Sequence, residues 1–108
     1  MKRIKTIEEW RTVRESSEKQ SVLLFKMSLT CFSSLSAKKE LHKLVTDLPL
    51  YVIVVQTDQA ISKAIESDLK VRHESPQLLI VKDQKATWQA THYHIKESVV
   101  RDAIEMYN

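Results

Sequence analysis

The sequence predicts an α/β fold, with a central four-stranded mixed β-sheet flanked by helices on both faces, built as a single domain over residues 1–108. Three observations carry that expectation. Short apolar runs alternate with amphipathic stretches in the order α-β-α-β-α-β-β-α. A helix separates the first two strands, which suits a right-handed parallel crossover. A polar tetrad, Lys82-Asp83-Gln84-Lys85, separates the last two, which suits an antiparallel hairpin.

Each element has a local reason. Thr6-Ile7-Glu8-Glu9 is a capping box, with Thr6 accepting from the backbone at Glu9 and Glu9 reaching back. The helix it opens runs to about Ser17, with Ile7, Trp10, Val13 and the stem of Arg14 inward. SVLLFK, 21–26, is a short continuous apolar run and reads as a buried strand. A second helix spans about Cys31 to Val45, its apolar positions Leu35, Leu41, Leu44, Val45 and Leu48 fitting helical spacing imperfectly, and Asp47-Leu48-Pro49 ends it. LYVIVV, 50–55, is the strongest strand, rich in β-branched residues. Asp58 caps a helix to about Leu69. QLLIVK, 77–82, and ATWQAT, 86–91, form the hairpin. A last helix covers about 95–107, with Ile95, Val99, Ala103, Ile104 and Tyr107 inward. Trp10 and Trp88 read as packing residues.

Composition excludes several function classes. Lys and Arg number 17 against 14 Asp and Glu, a small excess spread along the chain without a basic stripe, so nucleic acid is not an expected partner. The longest apolar run, LPLYVIVV at 48–55, is far short of the roughly 20 residues that span a bilayer, so no membrane partner is expected either. The basic start turns acidic before any apolar stretch, which gives no signal peptide. With one cysteine the chain cannot close an internal disulfide, and a cytoplasmic location is expected. Glycine is absent, where average usage of about 7% leads one to expect several. No glycine-rich phosphate cradle can form, and every turn must be made by other residues.

The lone thiol, Cys31 in SLTCFSSLSA, is the candidate nucleophile. It falls at the junction of the first core strand and a helix, with Ser28 or Thr30 available to cap. Unpaired backbone N–H groups and the positive end of the helix dipole favour thiolate there. The competing reading is a buried structural cysteine; the small polar neighbours Ser28, Thr30, Ser33 and Ser34 suit an open helix start better. Ser75-Pro76 precedes a strand, where proline fits either as a cis turn or because a first strand residue needs no N–H. His73, in the loop before Pro76, is a candidate modulator of the thiol's pKa. His92 and His94 would share a strand face, but no third ligand accompanies them and no metal site is assigned.

C-x-x-S at a strand–helix junction, with a proline before the third strand, resembles the thioredoxin-like superfamily and its C-x-x-C motif. More closely, the chain resembles the monothiol bacilliredoxins of the YtxJ type. VRHESPQLLIVKDQKATWQATHYHI, 71–95, follows that family's V-K-H-E-S-P-Q segment and its hairpin with a Trp, and KMSLTCFSSLSA matches its H-S-x-T-C-P-I-S-A segment. IEEW and VIVVQTDQAISKAI also fit, so the likeness covers essentially the whole chain. Phe32 stands where the family has proline, Ser33 where it has isoleucine, and Met27 where histidine is common.

The resemblance implies a thiol–disulfide oxidoreductase that removes bacillithiol, a low-molecular-weight thiol, from mixed disulfides on client proteins. Cys31 would be the nucleophile, with Thr30, Phe32, Ser33, Ser34, Ser75 and Pro76 binding the thiol or substrate. Ser34 falls where a dithiol relative has its resolving cysteine, and Pro76 matches the cis-proline. Bacillithiol would be co-substrate, with no permanently bound cofactor, and the partners would be bacillithiolated proteins. Two alternatives stay open. One is a non-catalytic interaction module in which Phe32 and Met27 form an apolar contact surface. The other is a monothiol glutaredoxin-type iron–sulfur carrier, though its C-G-F-S motif and glycine pair have no counterpart here.

Overall fold

Val22–Met27 (β2) is buried at every residue, and the sheet is assembled around it. Alternate side chains of a strand point to opposite sides, so such a strand must be covered on both faces. The computed structural model describes residues 1–108 and shows both covers. Leu23, Phe25 and Met27 pack with Ala37 and Leu41 of α2 (Phe32–Lys43) and with Val100 and Ala103 of α4 (Glu97–Tyr107). Val22 and Leu24 belong to the opposite cluster, with Trp10 and Val13 of α1 (Ile7–Ser16) and Ile61, Ile65 and Leu69 of α3 (Gln59–Leu69).

On one side of β2 lies β3 (Leu50–Val54), parallel to it, with Leu23 opposite Leu50 and Met27 opposite Val54. On the other side lies β4 (Gln77–Lys82), antiparallel, with Val22 opposite Val81 and Lys26 opposite Gln77. β4 turns into β5 (Lys85–Thr91), so the parallel pair and the hairpin are those the sequence predicts. The sheet has five strands rather than four, in the order β1-β3-β2-β4-β5, where β1 is Lys2–Arg3. The additional β1 pairs with the outer edge of β3. Two exposed basic residues carry no apolar alternation to betray a strand. Backbone pairing holds them, and Arg3 donates to Thr57 Oγ1 at 2.6 Å and to the Asp58 carboxylate at 3.3 Å. No helix is long and apolar enough to cross a membrane.

Several ends differ from expectation for identifiable reasons. Thr6 Oγ1 accepts from Glu9 N at 3.0 Å, but the Glu9 carboxylate accepts from Lys5 N rather than Thr6 N. Asp58 is the residue before α3, yet its carboxylate is engaged by Val54 N at 3.0 Å and by Arg3, so it makes no side-chain cap. α2 stops at Lys43 and buries Ser33, Ser34, Ala37 and Leu41, while Leu35 and Val45 are exposed. Small residues on the sheet-facing side let the helix approach closely, and Leu35, next to Ser34, is rotated off that face. Ile95 is buried but precedes α4, so counting the helix from it misplaces the phase by one residue. Val100 points inward, and Val99 and Tyr107 are exposed. His92 and His94 lie on a 3-10 turn and so do not share a strand face.

The hairpin turn shows how the chain manages without glycine. Asp83 (φ 52°) and Gln84 (φ 64°) both adopt the left-handed conformation of a two-residue I′ turn, a region costly for residues with a Cβ. Ser17, wholly buried after α1, holds that turn. Its carbonyl accepts from Asp83 N at 2.9 Å and its hydroxyl accepts from Gln84 N at 2.8 Å.

Lys26 departs from the apolar pattern of β2. It has the parity of Val22 and Leu24, so it points toward the α3 side, wholly buried, with an ammonium that has no hydrogen-bond partner. Burial pushes its pKa down to about 8, against the opposing pull of Glu66 and Glu74. The unfolded chain therefore binds this proton more readily, the penalty on folding is complete below about pH 8, and it is relieved as pH rises toward the unfolded value near 10.4. Lys26→Met keeps the volume and removes the charge, and is expected to raise stability in urea unfolding at pH 7 by about 1–3 kcal/mol. The margin over the native protein should shrink between pH 8 and 10. A variant less stable at pH 7 would show that the buried ammonium contributes net stability.

Candidate thiol site

Because β2 and β3 are parallel, the loops that follow them emerge at the same end of the sheet. Because β4 is antiparallel to β2, with Gln77 opposite Lys26, the segment that precedes β4 emerges there too. The topology thus gathers residues 28–31, 55–58 and 72–76 from three distant stretches of sequence.

The loop Ser28-Leu29-Thr30 is held by side chains from two sides. Ser28 N donates to Ser34 Oγ at 3.0 Å, tying the end of β2 to the first turn of α2. Gln56, just beyond β3, accepts from Leu29 N at 3.1 Å through Oε1 and donates through Nε2 to Ser28 Oγ at 2.6 Å. Its Nε2 also reaches Thr30 Oγ1 at 3.3 Å. Gln56 is not among the residues that the sequence singles out. The one available signal is that parallel strands end on the same side, so the polar residue after β3 faces the loop after β2.

Cys31 occupies the N-cap position of α2 in extended conformation and is half-buried. It takes the place expected of Ser28 or Thr30. Its Sγ lies 2.8 Å from Ser33 Oγ. The Ser33 hydroxyl is the main cause of a thiol pKa below the ordinary value. The backbone N–H groups of Ser34 and Ser33 add to that shift, although they fall short of a full capping hydrogen bond, and the Ser34 hydroxyl adds a smaller part. Partial desolvation opposes them. Ser33 and Ser34 are buried under the helix start, contrary to the open polar surface that their chemistry suggests. Their hydroxyls are satisfied by the sulfur and by Ser28 N, which is why polar groups can sit there.

The remaining candidates divide into two sets. Phe32 is 83% exposed, and Leu29 and Leu35 on either side of it in the sequence are exposed too. Ser75-Pro76 is a cis peptide, Pro76 is buried, and its carbonyl accepts from His92 N at 3.0 Å. Gln77, wholly buried, fastens the preceding loop by donating to Arg72 O at 3.1 Å and accepting from Glu74 N at 3.3 Å. Ser75 Oγ is buried without a partner. His73 is engaged elsewhere: its Nδ1 lies 3.3 Å from Ser62 Oγ, and its backbone N–H donates to Glu66 at 2.7 Å. Burial and the nearby Lys26 charge push its pKa down, so it is neutral near pH 7 and has no part in the shift of the sulfur.

The arrangement favours the ionised form of the thiol through neutral donors, and the chain has no second cysteine with which it could form a disulfide. Among solved structures, one described as a candidate oxidoreductase with a thioredoxin fold matches at a TM-score of 0.86 and 27% identity, covering 95% of this chain and 92% of that one. Fasciola hepatica thioredoxin matches at 0.80 and 11% identity over the whole of both chains. A single-substitution variant of thioredoxin from Halobacterium salinarum matches at 0.77 and 18%, covering 98% of this chain and 88% of that one. The fold is the thioredoxin fold. A family model described as "Monothiol bacilliredoxin BrxC" matches residues 2–100, and with a single cysteine at the head of α2 the chain belongs to that monothiol bacilliredoxin family.

Proposed function

We propose that the protein is a monothiol thiol–disulfide oxidoreductase that removes bacillithiol from mixed disulfides on client proteins in the cytoplasm, with Cys31 as the nucleophile. The observation that supports this most is the Cys31 sulfur 2.8 Å from the Ser33 hydroxyl at the start of α2, with its pKa lowered. In the first step the Cys31 thiolate attacks the bacillithiol sulfur of the client disulfide. A Cys31–bacillithiol disulfide forms, the client–bacillithiol bond breaks, and the electron pair leaves on the client sulfur, which takes a proton from water. No internal cysteine can displace the adduct. A second bacillithiol thiolate attacks its bacillithiol sulfur, giving bacillithiol disulfide and regenerating the Cys31 thiolate. Electrons balance across the pair of steps without a bound cofactor.

The other roles follow from position. Thr30, Phe32, Ser75 and Pro76 would meet the client or thiol chain at the sheet end, and the exposed Phe32 ring would offer an apolar contact in place of a rigid proline turn. Ser34, held by Ser28 N, keeps the loop in place and cannot close a disulfide, so the adduct waits for an external thiol. Ser33 stabilises the thiolate both as attacking group and as leaving group.

Incubation with a bacillithiolated peptide should release the free peptide and give protein carrying one bacillithiol on Cys31 by mass spectrometry, with Cys31→Ser giving neither. Peptide left intact, under conditions in which a model thiol reduces it, would overturn the proposal. Ser33→Ala removes the largest stabilisation of the thiolate. Its exchange rate should fall several-fold at pH 7 and recover at alkaline pH as the thiol ionises without help. A rate profile that superimposes on the native one would remove Ser33 from the site.

A further inference from the structure

Beside the loop that carries Cys31 lies an open cleft of about 440 Å³, lined by Ser28, Gln56, Gln59, Ser62, Lys63 and Glu66 among others. It adjoins the loop that leads to Cys31, since Ser28 and Gln56 belong both to its wall and to the hydrogen bonds that hold Leu29 and Thr30. We propose that this cleft is the subsite for the non-sulfur body of the small thiol, and that it selects a thiol carrying a carboxylate, an amine and several hydroxyls. The inference rests on the exchange reaction proposed above and adds to it the determinant of thiol specificity.

The chemistry of the lining supports that ligand class. Ser28, Gln56, Gln59 and Ser62 offer uncharged donors and acceptors, suited to hydroxyls. α3 starts beside the cleft, at Gln59, without a side-chain cap, because Asp58 is turned back to Val54 N and Arg3, and the positive end of its dipole favours an anion nearby. Lys63 forms no ion pair in the chain and adds an unpaired cation to the wall. Glu66 uses one carboxylate oxygen on His73 N and keeps the other for an ammonium group. Beneath the wall, the buried Lys26 ammonium has no partner, points to the α3 side, and lies close enough for Glu66 and His73 to feel its charge. The neutral His73 completes the lining without an opposing charge.

The test compares kcat/KM for one peptide carried as its bacillithiol disulfide and as its β-mercaptoethanol disulfide, the latter having no body to fill the cleft. In Lys63→Ala the ratio of the two should fall about tenfold, as for loss of one charge-assisted contact. Lys70→Ala, which removes an equal charge outside the cleft, should leave the ratio where it is. An unchanged ratio in Lys63→Ala, or an equal fall in Lys70→Ala, overturns the subsite. Native protein that reacts with the β-mercaptoethanol disulfide but not the bacillithiol one overturns the proposed function, and the subsite with it.

Discussion

The position of the sulfur depends on a central strand that cannot move. β2 is buried along its whole length, paired on both edges and covered on both faces, so Met27 is a fixed point from which the chain must reach α2. The bond from Ser28 N to Ser34 Oγ spans that gap and is flanked by buried residues. Without it, Ser28 N–H would have no partner at the protein interior's edge, and the first turn of α2 would lose its link to the sheet. Ser34, the position of the absent second sulfur, therefore has a structural task that a hydroxyl performs well. Its oxygen accepts from the backbone while its proton stays available to Cys31.

The thiolate is stabilised by dipoles rather than by a countercharge. Ser33 O–H, two backbone N–H groups and Ser34 O–H all act on the sulfur, and no lysine or histidine does. Neutral donors within hydrogen-bond reach are screened little by salt, unlike a distant ion pair. The charges of the neighbourhood belong to Lys26, Glu66 and Glu74, on the α3 side of the sheet. Nucleophile and charged cleft are thus separate parts joined by Ser28 and Gln56.

Much of this is legible in the sequence, and the exceptions share a cause. QLLIVK shows its strand limits directly because apolar content and the flanking Pro76 and Asp83 coincide. The strand before Cys31 and the polar run after it place the sulfur at the helix start. What the sequence hides are side chains whose partners are distant along the chain. Asp58 reads locally as a cap, but Arg3 and Val54 N claim it. Ser33 and Ser34 read as exposed, but α2 lies close on the sheet and buries them. His73 sits near the site in sequence logic, yet Ser62 and Glu66 hold it. Gln56 and Lys26 carry no local signal, since their meaning comes only from which loops and faces the sheet brings together.

Every role proposed for the site depends on Cys31 being an activated thiol and not an inert one. Its pKa can be measured on the native protein as the pH dependence of alkylation. A midpoint clearly below the ordinary thiol value of about 8.5, with little dependence on salt, is expected. A midpoint at or above that value would contradict it.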